Sequence, residues 1–274
     1  MEFCTIEGPN QRFRVSLRGE GDPVVLLHGF PDFPQSWGPT ADVLADHGYR
    51  VIVPYLRGYH PDTITPGRRY RNRETGGDLI DLLDALGLPE ATVVGHDWGA
   101  SVAWAASGLA PDRLAAMVPI AVPDPGTVKP GLGFAWQVRH FWGFKAPLSD
   151  ARAARNGRAY IERLYRRWAP TWEGSDREEA VSRAREAFGD PTVLHHALEW
   201  YRDLSLNGGT RPRPACPILL VTGSADFGGD LGPYERTARR HGAETLVVDG
   251  AGHWPHREAP AVFHTQLLGF LSSL

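Results

Sequence analysis

The stretch "VVGHDWGAS" (residues 93–101) decides how the chain is read. A short β-branched run meets a glycine, any residue, one reactive residue, any residue and a second glycine. That is the spacing of a nucleophile elbow, in which a strand turns sharply into a helix and lifts one side chain clear of the backbone. Serine is the usual occupant of the central position, and here it is Asp97. An aspartate before a helix also reads as an Asx turn or N-cap, but the flanking Gly95 and Gly99 favour the elbow.

Outward from this point, short apolar runs alternate with helical patterns, as in a mostly parallel sheet covered by helices. The predicted strands are 23–29, 50–56, 91–97, 115–122, 217–223 and 244–250, each short enough to be buried on both faces. Residues 12–19 alternate and read as an edge strand. Helices are predicted at 36–47, 74–86, 98–109, 234–241 and 259–274, and Leu79, Leu82, Leu83 and Leu86 give the second of these one apolar face. Between Asp124 and Asn207 strand signals vanish and aromatic residues crowd in among arginines. The expected organisation is an α/β core, residues 1–124 and 208–274, carrying a helical cap or lid, residues 125–207. Most of the aromatics there read as its own small core, and a few as pocket-facing.

Composition narrows the partners. A net charge of -3 over 274 residues gives no basic face to advertise nucleic-acid binding, and it sets no oligomeric state. Lys129 and Lys145 are the only lysines, a bias toward arginine that fits a GC-rich bacterial genome. Cys4 and Cys216 are the only cysteines, so a disulfide framework is not expected and a reducing, cytoplasmic setting is. The first residues lack a basic segment followed by an apolar run, and no apolar stretch approaches the roughly 18 residues of a membrane span.

The order strand-HGFP (residues 28–31), strand, helix, strand-GHDWG-helix, helical insertion, strand-GSAD, strand-GHW resembles the α/β-hydrolase fold over essentially the whole chain. Pairing HGFP with an aspartate elbow is similar to the epoxide hydrolase and haloalkane dehalogenase branch, closest to the epoxide hydrolases. Chemistry explains why aspartate suits that branch. Against an acyl carbon a carboxylate gains nothing, because the anhydride formed would be no easier to hydrolyse than the starting ester. Against a saturated carbon bearing ring strain or a leaving group, a desolvated carboxylate displaces in line and forms an alkyl ester, which water then opens as an ordinary acyl substrate.

The resemblance implies roles residue by residue. Asp97 is the nucleophile. His253, in "GAGHWPH" (residues 250–256) after the last predicted strand, is the base, and Asp226 in "TGSADFGG" (residues 222–229) is the acid that orients it. Asp124, after the strand ending near Val122, is second choice, since some dehalogenases place their acid there. Backbone N–H groups of Phe30 and Trp98 form the oxyanion hole. Tyr201 in "ALEWYRD" (residues 197–203) resembles a lid tyrosine that protonates the opening epoxide oxygen, with a second reading as lid core. Trp136 stands where the second lid tyrosine is expected, and an indole N–H donates a hydrogen bond without transferring its proton. The second donor is thereby left among Trp136, Tyr160 and Tyr165, or Tyr201 acts alone. Trp136, Trp98, Phe30 and Trp254 are expected to line the substrate pocket. His60 replaces a usual glycine and either narrows the pocket or sits in a solvated loop, and His256 is a candidate for the entrance. His28 and His96 read as loop-shaping residues.

The expected reaction converts an apolar or aromatic epoxide, with water as co-substrate, to a vicinal diol, without metal or cofactor. The alternatives are a haloalkane dehalogenase using the same three residues, with Trp98 and Trp136 as halide donors, and a non-catalytic binding protein of the same fold.

Overall fold

The computed structural model describes residues 1–67, 69–129, 131, 135, 138–204, 214–226 and 229–274. Trp136 lies outside the described residues. Eight strands form one sheet: β1 (Cys4–Glu7), β2 (Arg12–Arg18), β3 (Asp22–Leu27), β4 (Tyr49–Pro54), β5 (Ala91–His96), β6 (Leu114–Ile120), β7 (Leu219–Gly223) and β8 (Glu244–Val248). Their order is β1-β2-β4-β3-β5-β6-β7-β8. The pairs β1/β2 and β2/β4 are antiparallel and the remainder parallel.

The central strand β5 is buried at all six positions, which is why it reads as a continuous apolar run rather than an alternating one. Its side chains still alternate between two cores. Val93 joins Val25, Leu79, Leu82, Leu83 and Val102 on one face, beneath α2 (Asn72–Ala85) and α3 (Trp98–Leu109). Val94 joins Leu26, Leu44, Phe263 and Leu267 on the other, beneath α1 (Gly38–Asp46) and α10 (Pro260–Leu271). Each such aliphatic side chain contributes roughly 1.5–3 kcal/mol of burial.

Residues 12–18 are not the edge of the sheet. They pair on one side with β4 and on the other with β1, a four-residue strand so exposed that it carries no alternating pattern. The helix expected at 259–274 is α10, with a separate short helix α9 (Pro255–Glu258) ahead of it, and the one expected at 36–47 begins as a single 3₁₀ turn at Pro34–Trp37.

Between β6 and β7 the described chain contains α4 (Arg139–Lys145), α5 (Ser149–Trp168), α6 (Ser175–Ala187) and α7 (Pro191–Asp203). The α7 helix starts on Pro191 behind the Asp190 carboxylate, which accepts from Thr192 N at 2.8 Å, and is fastened to the loop after β4 by Trp200 Nε1 donating to Arg57 O at 3.0 Å. The α8 helix (Gly232–His241) lies between β7 and β8. Among the described residues no helix is long and apolar enough to cross a membrane.

Because β3, β5, β6, β7 and β8 run parallel, their carboxyl ends share one edge, with Leu27 beside Gly95, His96 beside Ile120 and Gly223 beside Val248. Loops leaving that edge are where an open α/β sheet binds ligands.

Candidate active site

Asp97 leaves β5 with φ 52° and ψ −113°, a backbone state that costs a non-glycine residue on the order of 1–3 kcal/mol. The two elbow glycines make that turn sterically feasible. A Cβ on Gly95 would stand 2.4 Å from Gly99 C, and one on Gly99 would stand 2.3 Å from Leu27 O. Gly29 is equally constrained, since its Cβ would lie 2.4 Å from that of Asp97. This closeness lets the neighbouring Phe30 N donate to Asp97 Oδ1 at 2.8 Å, and the Phe30–Pro31 bond is cis.

The other carboxylate oxygen, Oδ2, lies 3.5 Å from His253 Nε2. The opposite ring nitrogen, Nδ1, is 3.0 Å from both oxygens of Asp226. The three side chains therefore form one line with an imidazole between two carboxylates. Only Asp97 keeps substantial side-chain exposure, 17%, against 1% for His253 and 3% for Asp226. The line is sealed at its far end and open at Asp97.

Charge follows from this arrangement. Burial disfavours a charged imidazole, but the charge and hydrogen bond of Asp226, with those of Asp97, push His253 up to about 10. Burial likewise opposes ionisation of Asp97, yet the bond and charge of His253, with help from the Phe30 N–H, hold it below the usual carboxylate range. The resting site is an ion pair: Asp97 ionised, His253 protonated.

Main-chain bonds hold the histidine loop. His253 N donates to Trp168 O at 2.8 Å, and His96 Nε2 is 2.9 Å from His253 O. The Glu258 carboxylate accepts from Gly252 N at 2.8 Å and Trp254 N at 2.9 Å. Sequence reasoning passed over Glu258. Its signal was an acidic residue five positions beyond the histidine, placed to gather the N–H groups of a tight loop.

Asp124 is not part of this line. Its Oδ2 is 2.8 Å from His241 Nε2 and 3.3 Å from Arg240 Nη1, while Oδ1 accepts from Gly126 N. Trp254 is fully buried, stacked on Tyr165 at 4.3 Å with rings 5° apart, so both belong to the packing behind His253 rather than to an open wall. His256 is 2% exposed, which removes it from any entrance. His60 accepts from Asp62 N through Nδ1 and, with Asp32, Tyr59 and Arg257, lines a cavity of about 450 Å³ between the α6–α7 region and the loops after β3 and β4.

Above Asp97 the wall is aromatic. Tyr201 of α7 meets Phe30 at 5.3 Å and Trp98 at 4.9 Å, both edge-to-face. Burial raises its phenol well above the ordinary value, and the Asp97 charge adds to this. Tyr160 of α5 stacks on Phe30 at 6.5 Å, and its hydroxyl is buried without a partner. The Trp98 indole, also buried, hydrogen-bonds the Tyr201 side chain.

Comparison with known proteins agrees with this architecture. The family model described as alpha/beta hydrolase fold matches residues 22–260, and the chain belongs to that family. It is 32% identical to epoxide hydrolase A of Mycobacterium tuberculosis, over 96% of this chain and 95% of that protein. It is 28% identical to an epoxide hydrolase of Caballeronia sordidicola, over 95% and 90%. A solved epoxide hydrolase from Vigna radiata superposes with a TM-score of 0.83 at 27% identity, covering 100% of this chain and 98% of that one.

Proposed function

We propose that this α/β-hydrolase is an epoxide hydrolase that forms a covalent alkyl ester on Asp97 and releases a vicinal diol. The observation that carries the reading is the line Asp97–His253–Asp226, open only at the aspartate and roofed by Tyr201. Residues 125–207 act as its cap, and their aromatic wall supports an apolar or aromatic substrate. Two unpaired cysteines support a cytoplasmic setting.

In the first step Asp97 Oδ2 attacks an epoxide carbon and the carbon–oxygen bond breaks. The oxygen leaves with the electron pair and takes the Tyr201 proton. Consuming the Asp97 charge in the ester removes one cause of the raised phenol value, which eases release of the Tyr201 proton as the ring opens, and burial still favours the neutral phenol, so the tyrosinate takes a proton back from solvent. The second lid tyrosine of the family is absent from the sequence at position 136. Tyr160, with its unpartnered hydroxyl on the other side of Phe30, fits the vacant role of second donor better than Tyr165, which is held in the Trp254 stack.

In the second step the imidazolium has lost its Asp97 counter-charge and gives up its proton to solvent. Neutral His253 then deprotonates a water that attacks the ester carbonyl carbon. Oδ1, held by the Phe30 N–H with Trp98 N as the second donor, receives the developing negative charge. Collapse of the tetrahedral species breaks the Cγ–Oδ2 bond while protonated His253 returns its proton to the departing Oδ2, which leaves as one hydroxyl oxygen of the diol.

A single turnover in heavy-oxygen water tests this directly. Peptide mass analysis should find the label in the Asp97 carboxylate, and label confined to the diol would exclude the covalent route. A second reading, release of halide from a haloalkane, is supported by one observation: the buried Trp98 indole N–H, directed at Tyr201 beside Asp97, is a donor that a departing halide would use. Free halide from a haloalkane panel, with no diol from epoxides, would select it.

A further inference from the structure

The residues on either side of His253 are gripped by one carboxylate to which the reaction above gives no part. Glu258 closes α9, the single turn that follows the histidine, and its side chain folds back over that turn. Oε2 accepts from Gly252 N at 2.8 Å and Oε1 from Trp254 N at 2.9 Å. The Glu258 N–H donates in turn to Trp254 O at 2.8 Å. Residue 258 therefore holds residue 254 at both its N–H and its C=O, and reaches past it to residue 252. His253 N donates separately to Trp168 O, and His253 O accepts from His96 Nε2. The main chain that carries the imidazole is thus pinned before, at and after the histidine, with the Glu258 carboxylate supplying the outer two pins.

The donor set calls for a carboxylate and not its amide. Both oxygens face backbone N–H groups, so each must accept. A glutamine of the same size has one acceptor oxygen, and its NH₂ would meet the second N–H donor against donor. Half-buried Glu258 is pushed up from its ordinary value by that burial, while the two N–H groups and the positive His253 draw it back down.

The grip matters unequally in the two steps. In the resting site the Asp97 carboxylate faces His253 Nε2 from 3.5 Å and Asp226 faces Nδ1 from 3.0 Å. Ester formation cancels the first of these charges just before the ring must take a proton from water. More of the aim then falls to Asp226 and to the main chain of residues 252–254. We propose that Glu258 is a positioning residue for ester hydrolysis, keeping the His253 imidazole aimed by way of the main chain on either side of it and touching no reacting atom. The inference rests on the two-step reading above, and it holds for any substrate that alkylates Asp97, epoxide or haloalkane.

The test compares the full chain with Glu258→Gln and Glu258→Ala, each checked for native circular dichroism, using styrene oxide in single-turnover quench experiments read by intact-protein mass. Alkylation of Asp97 should stay within about threefold of wild type. Hydrolysis of the ester should slow about 10-fold in Glu258→Gln, where one N–H is left unmade, and further in Glu258→Ala, where both are. The adduct then accumulates. Equal slowing of the two steps, as a merely loosened fold would give, would overturn the proposal, and so would ester hydrolysis at the wild-type rate. A measurement on wild type needs no variant to fold: the Gly252 and Trp254 amides should be as protected from hydrogen exchange as that of His253, and exchange at the rate of an open loop would remove the grip. If wild type forms neither adduct nor diol, the two-step reading is what fails. The aim of the ring is then still read from the proton NMR signal of His253 Nδ1–H, bonded to Asp226, which should be lost to solvent exchange in Glu258→Ala; an unchanged signal would show that Glu258 does not position the ring.

Discussion

Replacing Asp97 with asparagine should strip His253 of much of its proton affinity, because the amide keeps the shape of the carboxylate and discards its charge. It also mimics the neutral ester, so it reports the electrostatics of the second step without any substrate. The magnitude follows from the 3.5 Å between His253 Nε2 and Asp97 Oδ2. At an effective dielectric constant near 20, one pair of unit charges at that distance attracts by about 5 kcal/mol, which caps the loss in proton affinity at about 3 × 10³-fold. Asp226, 3.0 Å away on the other side, remains and keeps part of the effect. The imidazole should therefore titrate well below its resting value of about 10 and move toward the range where it acts as a base at neutral pH. Imidazole NMR over pH 5–11, with the His253 signal assigned by its loss in His253→Ala, reads this directly. If proton affinity in Asp97→Asn stays within about threefold of wild type, the nucleophile does not hold the histidine proton. The timing of base activation argued above would then be wrong.

Three further outcomes are expected. His253→Ala should let epoxide alkylate Asp97 and stop there, leaving an adduct of one substrate mass on the elbow peptide in intact-protein and peptide spectra; turnover at the wild-type rate would remove His253 from its role. Tyr201→Phe should slow ring opening roughly 10²-fold or more in pre-steady-state alkylation while leaving hydrolysis of the preformed ester nearly unchanged, whereas an unaltered alkylation rate would pass the proton to Tyr160. Because His253 is held above its unfolded value, its contribution to stability is complete below about pH 6.5 and is lost progressively as pH rises to about 10. Denaturant midpoints should fall across that window in wild type and fall less in Asp97→Asn.

The order of strands and helices was legible because each central strand is buried on both faces and each covering helix on one, so apolar periodicity encodes both directly. The elbow was legible for a steric reason: only glycine fits where Gly95 and Gly99 nearly touch other backbone. What the sequence left open depends on which way loops curl. Asp124 and Asp226 both follow strands at the carboxyl edge, and spacing alone does not separate them. The first is captured by His241 and Arg240, the second by His253. Trp254 follows the histidine and looked like a pocket residue, but its ring turns inward to Tyr165.

The hydrogen bond from His253 N to the Trp168 carbonyl has a meaning for how such a protein can diversify. It bolts the loop carrying the imidazole to the end of α5, main chain to main chain, so no side chain at either position is needed to make it. The bond itself therefore constrains the path of the backbone at 168 and not the identity of the residue there, whose indole is held by separate packing against His253 and Trp254. A Cβ on the adjoining Gly252 would already stand 2.3 Å from that same oxygen. Exchange of helices 139–203 for a foreign set would thus succeed or fail on where one carbonyl points, however well the new aromatics fill the pocket.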